Sequence, residues 1–191
     1  MAMHKDFPPS PHEILHPDIR WFPADETLRQ TSYENLMPPL VPALRKAVFK
    51  WRNEGYPRIS DTSRTLLNWW FETPHPIGHA DGTIGNFEYY FAQREAVETV
   101  IYLNECIKVK DKHDLLRFDT RGVVSGELIE ETWRRYVIKM ATGSGKTKTM
   151  SLLLAWSYFH KKYEKGSDLS KNFLVIAPNL IVLDRLRADF D

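Results

Sequence analysis

Apolar side chains recur at helical spacing in two segments of the first half of the chain. The segment 38–53 carries five of them on one side of a helix: Leu40, Leu44, Ala47, Val48 and Trp51. A second helix is predicted to begin at Ser60 or Asp61, both favourable N-cap residues, and to continue through Phe71. Together these helices predict a small, aromatic-rich unit near the N-terminus.

The second half of the chain predicts the order strand, loop, helix, strand, helix. Residues 136–140 are expected to form a short buried strand, and residues 146 to about 161 a helix that is apolar nearly all round and therefore buried. The continuous apolar run 172–178 is typical of a parallel strand covered on both faces. A last helix is expected just after Asn179. This order predicts an α/β fold that contains the first part of a parallel sheet.

A segment dense in proline and glycine separates the two halves. Residues 72–86 are the strongest linker candidate, and a helix with apolar spacing i, i+4, i+7 follows from residue 87. We therefore predict a mainly helical N-terminal region with its linker at residues 1–85, and a second region at residues 86–191.

Composition and charge exclude several classes of protein. Lys and Arg number 26 against 25 Asp and Glu, so the whole chain has no strong field that attracts nucleic acid. Cys106 is the only cysteine, which excludes an intramolecular disulfide. No signal peptide and no apolar run of the roughly 20 residues that a membrane span needs are visible. We expect a soluble, cytoplasmic protein that does not enter a membrane.

A candidate phosphate-binding loop lies between the predicted strand and helix of the second half. Met140 occupies the first glycine position of the general pattern, but Gly143 and Gly145 still let the backbone N–H groups converge on phosphate oxygens. Lys146 is expected to reach the β- and γ-phosphates of ATP, and the Thr147 hydroxyl to ligate Mg²⁺. The predicted ATP-binding loop residues are Thr142, Gly143, Ser144, Gly145, Lys146 and Thr147. The alternative, a plain turn followed by a surface lysine, does not explain the flanking strand and helix.

Three segments together resemble one superfamily of motor proteins. MATGSGKT resembles motif I of the superfamily-2 helicases and translocases, FAQREAVETVIYL their glutamine motif, and LVIAPNLIVLDRL their motif Ia. Within that superfamily the sequence is most similar to the Res subunit of type III restriction enzymes and related DEAD/DEAH-box proteins. The resemblance covers most of residues 45–191. It implies that residues 86–191 are the start of a RecA-like ATP-binding domain with a P-loop fold.

The resemblance also implies roles for residues outside the phosphate loop. Gln93 is expected to read the N6 and N7 edge of adenine, since its amide donates and accepts at once. Phe91 is the expected stacking partner of the base, with Tyr90 as second choice. Pro178 and Asn179 of motif Ia are expected to contact the backbone of DNA. The alternatives are a polar residue at a helix N-terminus for Gln93, core packing for the aromatic residues, and a plain strand end and helix cap for the last two.

The predicted function is that of the ATP-binding portion of a DNA helicase-like or translocase-like ATPase. The resemblance implies ATP and Mg²⁺ as cofactors, DNA as the substrate of the complete motor, and a modification or specificity subunit as partner in a restriction system. No acidic motif II follows motif Ia in the sequence, so we expect no catalytic residue in this chain and nucleotide binding without efficient hydrolysis. Two alternatives stay open: a truncated, non-catalytic module that binds nucleotide or a partner, and a phosphate-loop protein of another class such as a small-molecule kinase.

Overall fold

The computed structural model describes residues 10–19, 37–124, 135–177 and 180–190. Within these ranges the longer helices are α1 (Val41–Asn53), α2 (Asp61–Phe71), α3 (Phe91–Ile101), α4 (Lys146–Tyr163) and α5 (Leu180–Phe190). Two short strands, β1 (His75–Gly78) and β2 (Ile84–Phe87), pair antiparallel. Short 3-10 helices lie at Pro17–Ile19 and Lys112–Phe118, and α3 continues into a π-helical turn at Tyr102–Cys106.

The helices begin where the sequence predicts caps and permitted prolines. In α1, Pro42 sits in the first turn, where its missing N–H costs no helical hydrogen bond. Before α2, the Ser60 hydroxyl oxygen accepts a hydrogen bond from the backbone N–H of Ser63 at 3.1 Å. The predictions of α1, of α2 with its Ser60 cap, and of helices at the positions of α3, α4 and α5 are confirmed.

The segment predicted as a linker contains a β-hairpin, which the sequence pattern did not predict. Its register pairs His75 with Phe87 and Ile77 with Gly85. At the turn, the Asp81 carboxylate accepts hydrogen bonds from the backbone N–H and the hydroxyl of Thr83 at 3.0 and 2.7 Å. Prolines and glycines lower the strand propensity of this segment, but an edge strand and a tight turn tolerate them.

One hydrophobic core joins the N-terminal helices to the helices of the second half. Its buried members come from α1, α2, α3 and α4 and include Val48, Trp51, Leu67, Trp70, Val97, Ile101, Leu152 and Trp156. The prediction that α4 is buried on nearly all sides is wrong, because Tyr158 and Tyr163 of this helix are 38% and 62% exposed. The covered part of α4 packs mainly against α3 and α2, and α4 also contacts α5.

The two predicted strands of a parallel sheet are not formed. Residues 135–140 and 172–177 have no regular secondary structure, and Val137, Leu174 and Ile176 are 82–87% exposed. Within the described ranges the hairpin is the only sheet. An apolar run makes a stable strand only where neighbouring strands satisfy its backbone N–H and C=O groups, and the described residues place no such neighbour beside either segment. The described helices include none with the length and apolar character of a membrane span.

Candidate nucleotide-binding site

The predicted phosphate loop is a tight turn that runs directly into α4. Gly143 and Gly145 have φ angles of +79° and +76°, in the left-handed region that favours glycine. Gly145 is the N-cap of α4, so Lys146 is the first helical residue, as predicted. Within the turn, the Ser144 hydroxyl donates a hydrogen bond to the carbonyl oxygen of Ala141 at 2.7 Å.

Lys146 folds back over this turn. Its Nζ donates hydrogen bonds to the carbonyl oxygens of Met140 at 3.0 Å and Ala141 at 2.7 Å. Only the backbone carbonyl of Met140 is involved, so this contact does not need a glycine at that position. Both acceptors are neutral, whereas phosphate oxygens form the stronger charge-assisted hydrogen bonds. The ammonium is therefore held in place by contacts that a phosphate group can replace.

The N-terminus of α4 suits an anion. The first turn of a helix has N–H groups with no intrahelical acceptor, and its dipole adds partial positive charge. The first turn of α4 contains no acidic residue, and it carries the lysines Lys146 and Lys148. Cations at this end disfavour the helix by about 0.3–1 kcal/mol each. A bound anion would remove this repulsion. Thr147 lies in the same turn and is half-buried, and its role as a Mg²⁺ ligand stays a prediction.

Gln93, predicted as part of the site, reaches the phosphate loop. Its side chain is 94% buried, its Nε2 donates to the carbonyl oxygen of Ser144 at 3.1 Å, and its Oε1 accepts from the backbone N–H of Tyr90 at 2.9 Å. The second contact caps α3. A Cβ built on Gly145 would lie 2.0 Å from Gln93 Nε2, so any larger residue at this position would have to displace the amide of Gln93. The structure thus brings together two segments 51 residues apart.

An aromatic cavity of about 240 Å³ lies beside the first turn of α3. Its walls include Phe91 and several residues that sequence reasoning did not assign to the site: His12, Phe71, His75, Phe87, Tyr89 and Arg94. Nζ of Lys148 lies 5.9 Å from the centroid of the Phe87 ring, so one wall of the cavity adjoins the first turn of α4. His75 Nε2 is buried and has no hydrogen-bond partner among the described residues. The run of aromatic residues from 87 to 91 was the available signal, but core packing explained it equally well.

One face of the Phe91 ring is covered by a guanidinium group. The guanidinium carbon of Arg52, from α1, lies 5.3 Å from the centroid of this ring. This is a cation–π distance, and it places a guanidinium on one side of the ring. A base that stacks on Phe91 would therefore use the opposite side. Stacking by Phe91 stays a prediction.

A buried charged cluster lies behind this turn of α3, and nothing in the sequence predicted it. Fully buried Glu98 accepts hydrogen bonds from Arg52 Nε at 3.0 and 2.9 Å, from Arg94 Nε at 2.8 Å and from the Tyr56 hydroxyl at 2.7 Å. Arg94 also pairs with Glu72 at 2.6 Å. Burial and the charge of Glu98 raise the pKa of Tyr56 well above its usual value, so this hydroxyl stays protonated.

Pro178 and Asn179, the residues predicted to contact DNA, lie outside the described residues. The helix expected after them begins at Leu180. In the part of the chain that the structure describes, no group of three His, Cys, Asp or Glu side chains is arranged to hold a metal ion.

Comparison with known proteins identifies one relationship. A protein-family model described as "Type III restriction enzyme, res subunit" matches residues 86–191, which is more than half of the 191-residue chain. The matched range contains Gln93, the phosphate loop and α5. No curated protein and no solved structure matches the chain.

Proposed function

The chain belongs to the family of type III restriction enzyme Res subunits, and on this premise we propose that it is an ATP-binding part of a helicase-like or translocase-like motor that acts on DNA. One observation carries the proposal most directly: the amide of Gln93, in the segment that resembles the glutamine motif, contacts the phosphate loop at Ser144. The two parts of the chain that the resemblance assigns to base and phosphates are thereby adjacent.

We propose that the triphosphate lies on residues 142–147 at the N-terminus of α4. Lys146 exchanges its contacts with the carbonyl oxygens of Met140 and Ala141 for phosphate oxygens, and the Thr147 hydroxyl ligates Mg²⁺. The two left-handed glycines support this assignment, since positive φ angles are typical of the backbone turns whose N–H groups bind anions.

We propose that the base enters the aromatic cavity beside Phe91. A cavity of about 240 Å³ is smaller than the roughly 300–1,000 Å³ of drug-sized sites, and it suits one ring system. The unpartnered His75 Nε2 offers the base a hydrogen bond. Gln93 reads the adenine edge only after it releases Ser144, so base recognition would be coupled to the conformation of the phosphate loop.

Calorimetric titration with Mg·ATP and Mg·GTP tests the proposal. We expect ATP to bind more tightly than GTP, and Lys146→Ala to weaken binding at least tenfold. Lys161→Ala, at the opposite end of the same helix, is the matched control and should bind like the unsubstituted chain. Equal affinity for ATP and GTP would contradict the adenine assignment, and wild-type affinity in Lys146→Ala would contradict the phosphate assignment.

We propose further that these 191 residues bind ATP without efficient hydrolysis, because no acidic motif follows motif Ia to activate water. Phosphate release that disappears in Lys146→Ala would overturn this part. In the complete motor, the partners we propose are DNA, contacted through Pro178 and Asn179, and a modification or specificity subunit. The exposed apolar residues Val137, Leu174 and Ile176 support a RecA-like sheet in which both segments pair with further strands.

A further inference from the structure

We infer that Arg52, which lies outside the family-matched range, is a positioning residue for the nucleotide site. Its role would be to hold the first turns of α3 so that Gln93 stays against the phosphate loop. The inference rests on the proposed function for its effect on nucleotide affinity, but its mechanical part can be tested without nucleotide. Among the described residues, Arg52 bonds to Glu98 and lies over the rings of Phe49 and Phe91, and it makes no hydrogen bond to the phosphate loop.

The contacts of Arg52 reach α3 at two points. Arg52 Nε donates to both carboxylate oxygens of Glu98, and Nη2 donates to one of them as well. The same guanidinium lies over the ring of Phe91, the first residue of α3. The side chains of Arg52 and Glu98 are 5% and 0% exposed, so solvent screens their interaction only weakly. One side chain from α1 therefore fixes both the start of α3 and a position two turns further along it.

Gln93 lies between these two fixed points. It stands two residues after Phe91 and five before Glu98. Its hydrogen bond to Tyr90 moves with the helix start, but its hydrogen bond to Ser144 requires the helix start to stay in place. A side-chain amide contact at 3.1 Å is lost by a displacement of well under one helical turn. The position of Arg52 thus affects the hydrogen bond between Gln93 and Ser144, although Arg52 takes no part in that bond.

Apolar packing alone does not account for this arrangement. A buried ion pair adds little stability compared with apolar residues of similar volume, because both charges lose their hydration. Arg52 Nη1 is also buried without a hydrogen-bond partner among the described residues, which adds to the cost. The ion pair instead fixes the orientation of the Arg52 side chain against α3. A planar guanidinium held by a carboxylate and a ring cannot rotate as an aliphatic side chain can.

Three variants test the inference, with nucleotide affinity, thermal stability and hydrogen exchange measured for each. Arg52→Lys keeps the positive charge but removes the planar fork. Arg52→Met removes the charge and keeps an unbranched side chain. Val48→Ala is the matched control, because Val48 is fully buried on the same face of α1, one turn before Arg52, and its side chain carries no charge. It separates the effect of lost stability from that of lost position.

We expect Arg52→Lys to weaken Mg·ATP binding by about threefold to thirtyfold, and Arg52→Met by at least as much. In both variants, hydrogen exchange at residues 141–147 should be faster without nucleotide. Val48→Ala should lower the thermal midpoint and leave affinity within about twofold. If Arg52→Met does not fold, Arg52→Lys decides alone.

Two other outcomes are distinguishable. Wild-type affinity and unchanged loop exchange in Arg52→Lys would overturn the inference and leave Arg52 with a role in stability alone. If the unsubstituted chain binds no nucleotide, the proposed function fails, and loop exchange still decides the positioning role. Faster exchange in the Arg52 variants but not in Val48→Ala supports it, and equal exchange in all three overturns it.

Discussion

Trp156 of α4 donates a hydrogen bond from its indole Nε1 to the hydroxyl oxygen of Ser63 on α2, at a distance of 2.7 Å. Ser63 is fully buried and donates its own proton to the carboxylate of Glu105. The hydroxyl therefore accepts and donates at once, and it links the helix that follows the phosphate loop to the N-terminal helices. Hydrogen bonds are directional, so these contacts orient α4 relative to α2 more specifically than apolar packing does.

Ser63→Ala should destabilise the protein by about 1–3 kcal/mol. The substitution leaves the buried indole N–H of Trp156 without an acceptor and takes one donor from Glu105. Urea unfolding measures the change. Ser151→Ala is the control, since that hydroxyl only bonds the Thr147 carbonyl one turn back in the same helix. A loss below about 0.5 kcal/mol in Ser63→Ala would show that water replaces the missing partner.

Stability should fall as the pH drops from about 4.5 toward 2, in part through Glu105. Burial by itself would raise the pKa of Glu105, but His160, the backbone N–H of Ser60 and the Ser63 hydroxyl outweigh burial and hold the pKa at about 2. A carboxyl group whose pKa is lower in the folded state stabilises the fold above its unfolded-state pKa, and this contribution is lost as pH falls through the folded-state value. Urea unfolding at several pH values measures the effect.

Glu105→Gln isolates that contribution. Hydrogen bonds also lower the pKa of Asp81, Asp114, Asp119 and Glu164, so the unsubstituted protein loses stability in acid for several reasons. The stability difference between wild type and Glu105→Gln should therefore be largest near neutral pH and shrink toward pH 2. A difference that does not change with pH would contradict the depressed pKa.

Gly145→Ala should impair the candidate site more than Gly143→Ala, although both glycines have nearly the same positive φ. Each alanine meets backbone strain of about 1 kcal/mol. At Gly145 the new Cβ would also lie 2.0 Å from Gln93 Nε2, whereas a Cβ at Gly143 would meet nothing within 4 Å. Thermal unfolding should show similar losses from strain, and Mg·ATP titration should show a clearly larger loss in Gly145→Ala. Equal affinities in the two variants would mean that the Gln93 contact has no part in binding.

The sequence allowed the helices to be predicted because their signals are local. Apolar spacing and the Ser60 cap act within a few residues, and α1, α2 and α4 form where these signals place them. The strands expected at 136–140 and 172–178 depend on neighbours that local pattern cannot supply, and the described residues of both segments are irregular. Strand formation is a property of a pair of segments, so an apolar run alone overpredicts it.

Local sequence pattern predicts the phosphate loop of the candidate site, but it does not predict the contacts that α3 makes around that loop. Gly143, Gly145 and Lys146 follow from a phosphate-binding pattern that acts within a single turn. Contact between Gln93 and Ser144 joins segments 51 residues apart. The resemblance to a family assigned both segments to one site but did not predict this contact. The Arg52–Glu98 pair was missed for a physical reason: charged residues are rarely buried, and burial of such a pair depends on the packing of two helices.

Cys106 should react very slowly with a thiol reagent such as dithionitrobenzoate in the folded protein. Burial raises the pKa of the Cys106 thiol to about 11, and its Sγ lies 3.3 Å from the carbonyl oxygen of Pro57. Because only the thiolate reacts, we expect the rate at pH 8 to be roughly two-hundredfold below that of free cysteine, whose pKa is about 8.5. The rate should then rise about tenfold for each pH unit up to about pH 11.

This measurement reports on a single position, since Cys106 is the only cysteine in the sequence. In denaturant, one thiol per chain should react at the rate of free cysteine, which provides the control for reagent and protein concentration. The thiol lies at the end of the π-helical turn that continues α3, so its protection depends on how that turn packs against the segment after α1. A rate at pH 8 within about threefold of free cysteine in the folded protein would show that this packing opens readily.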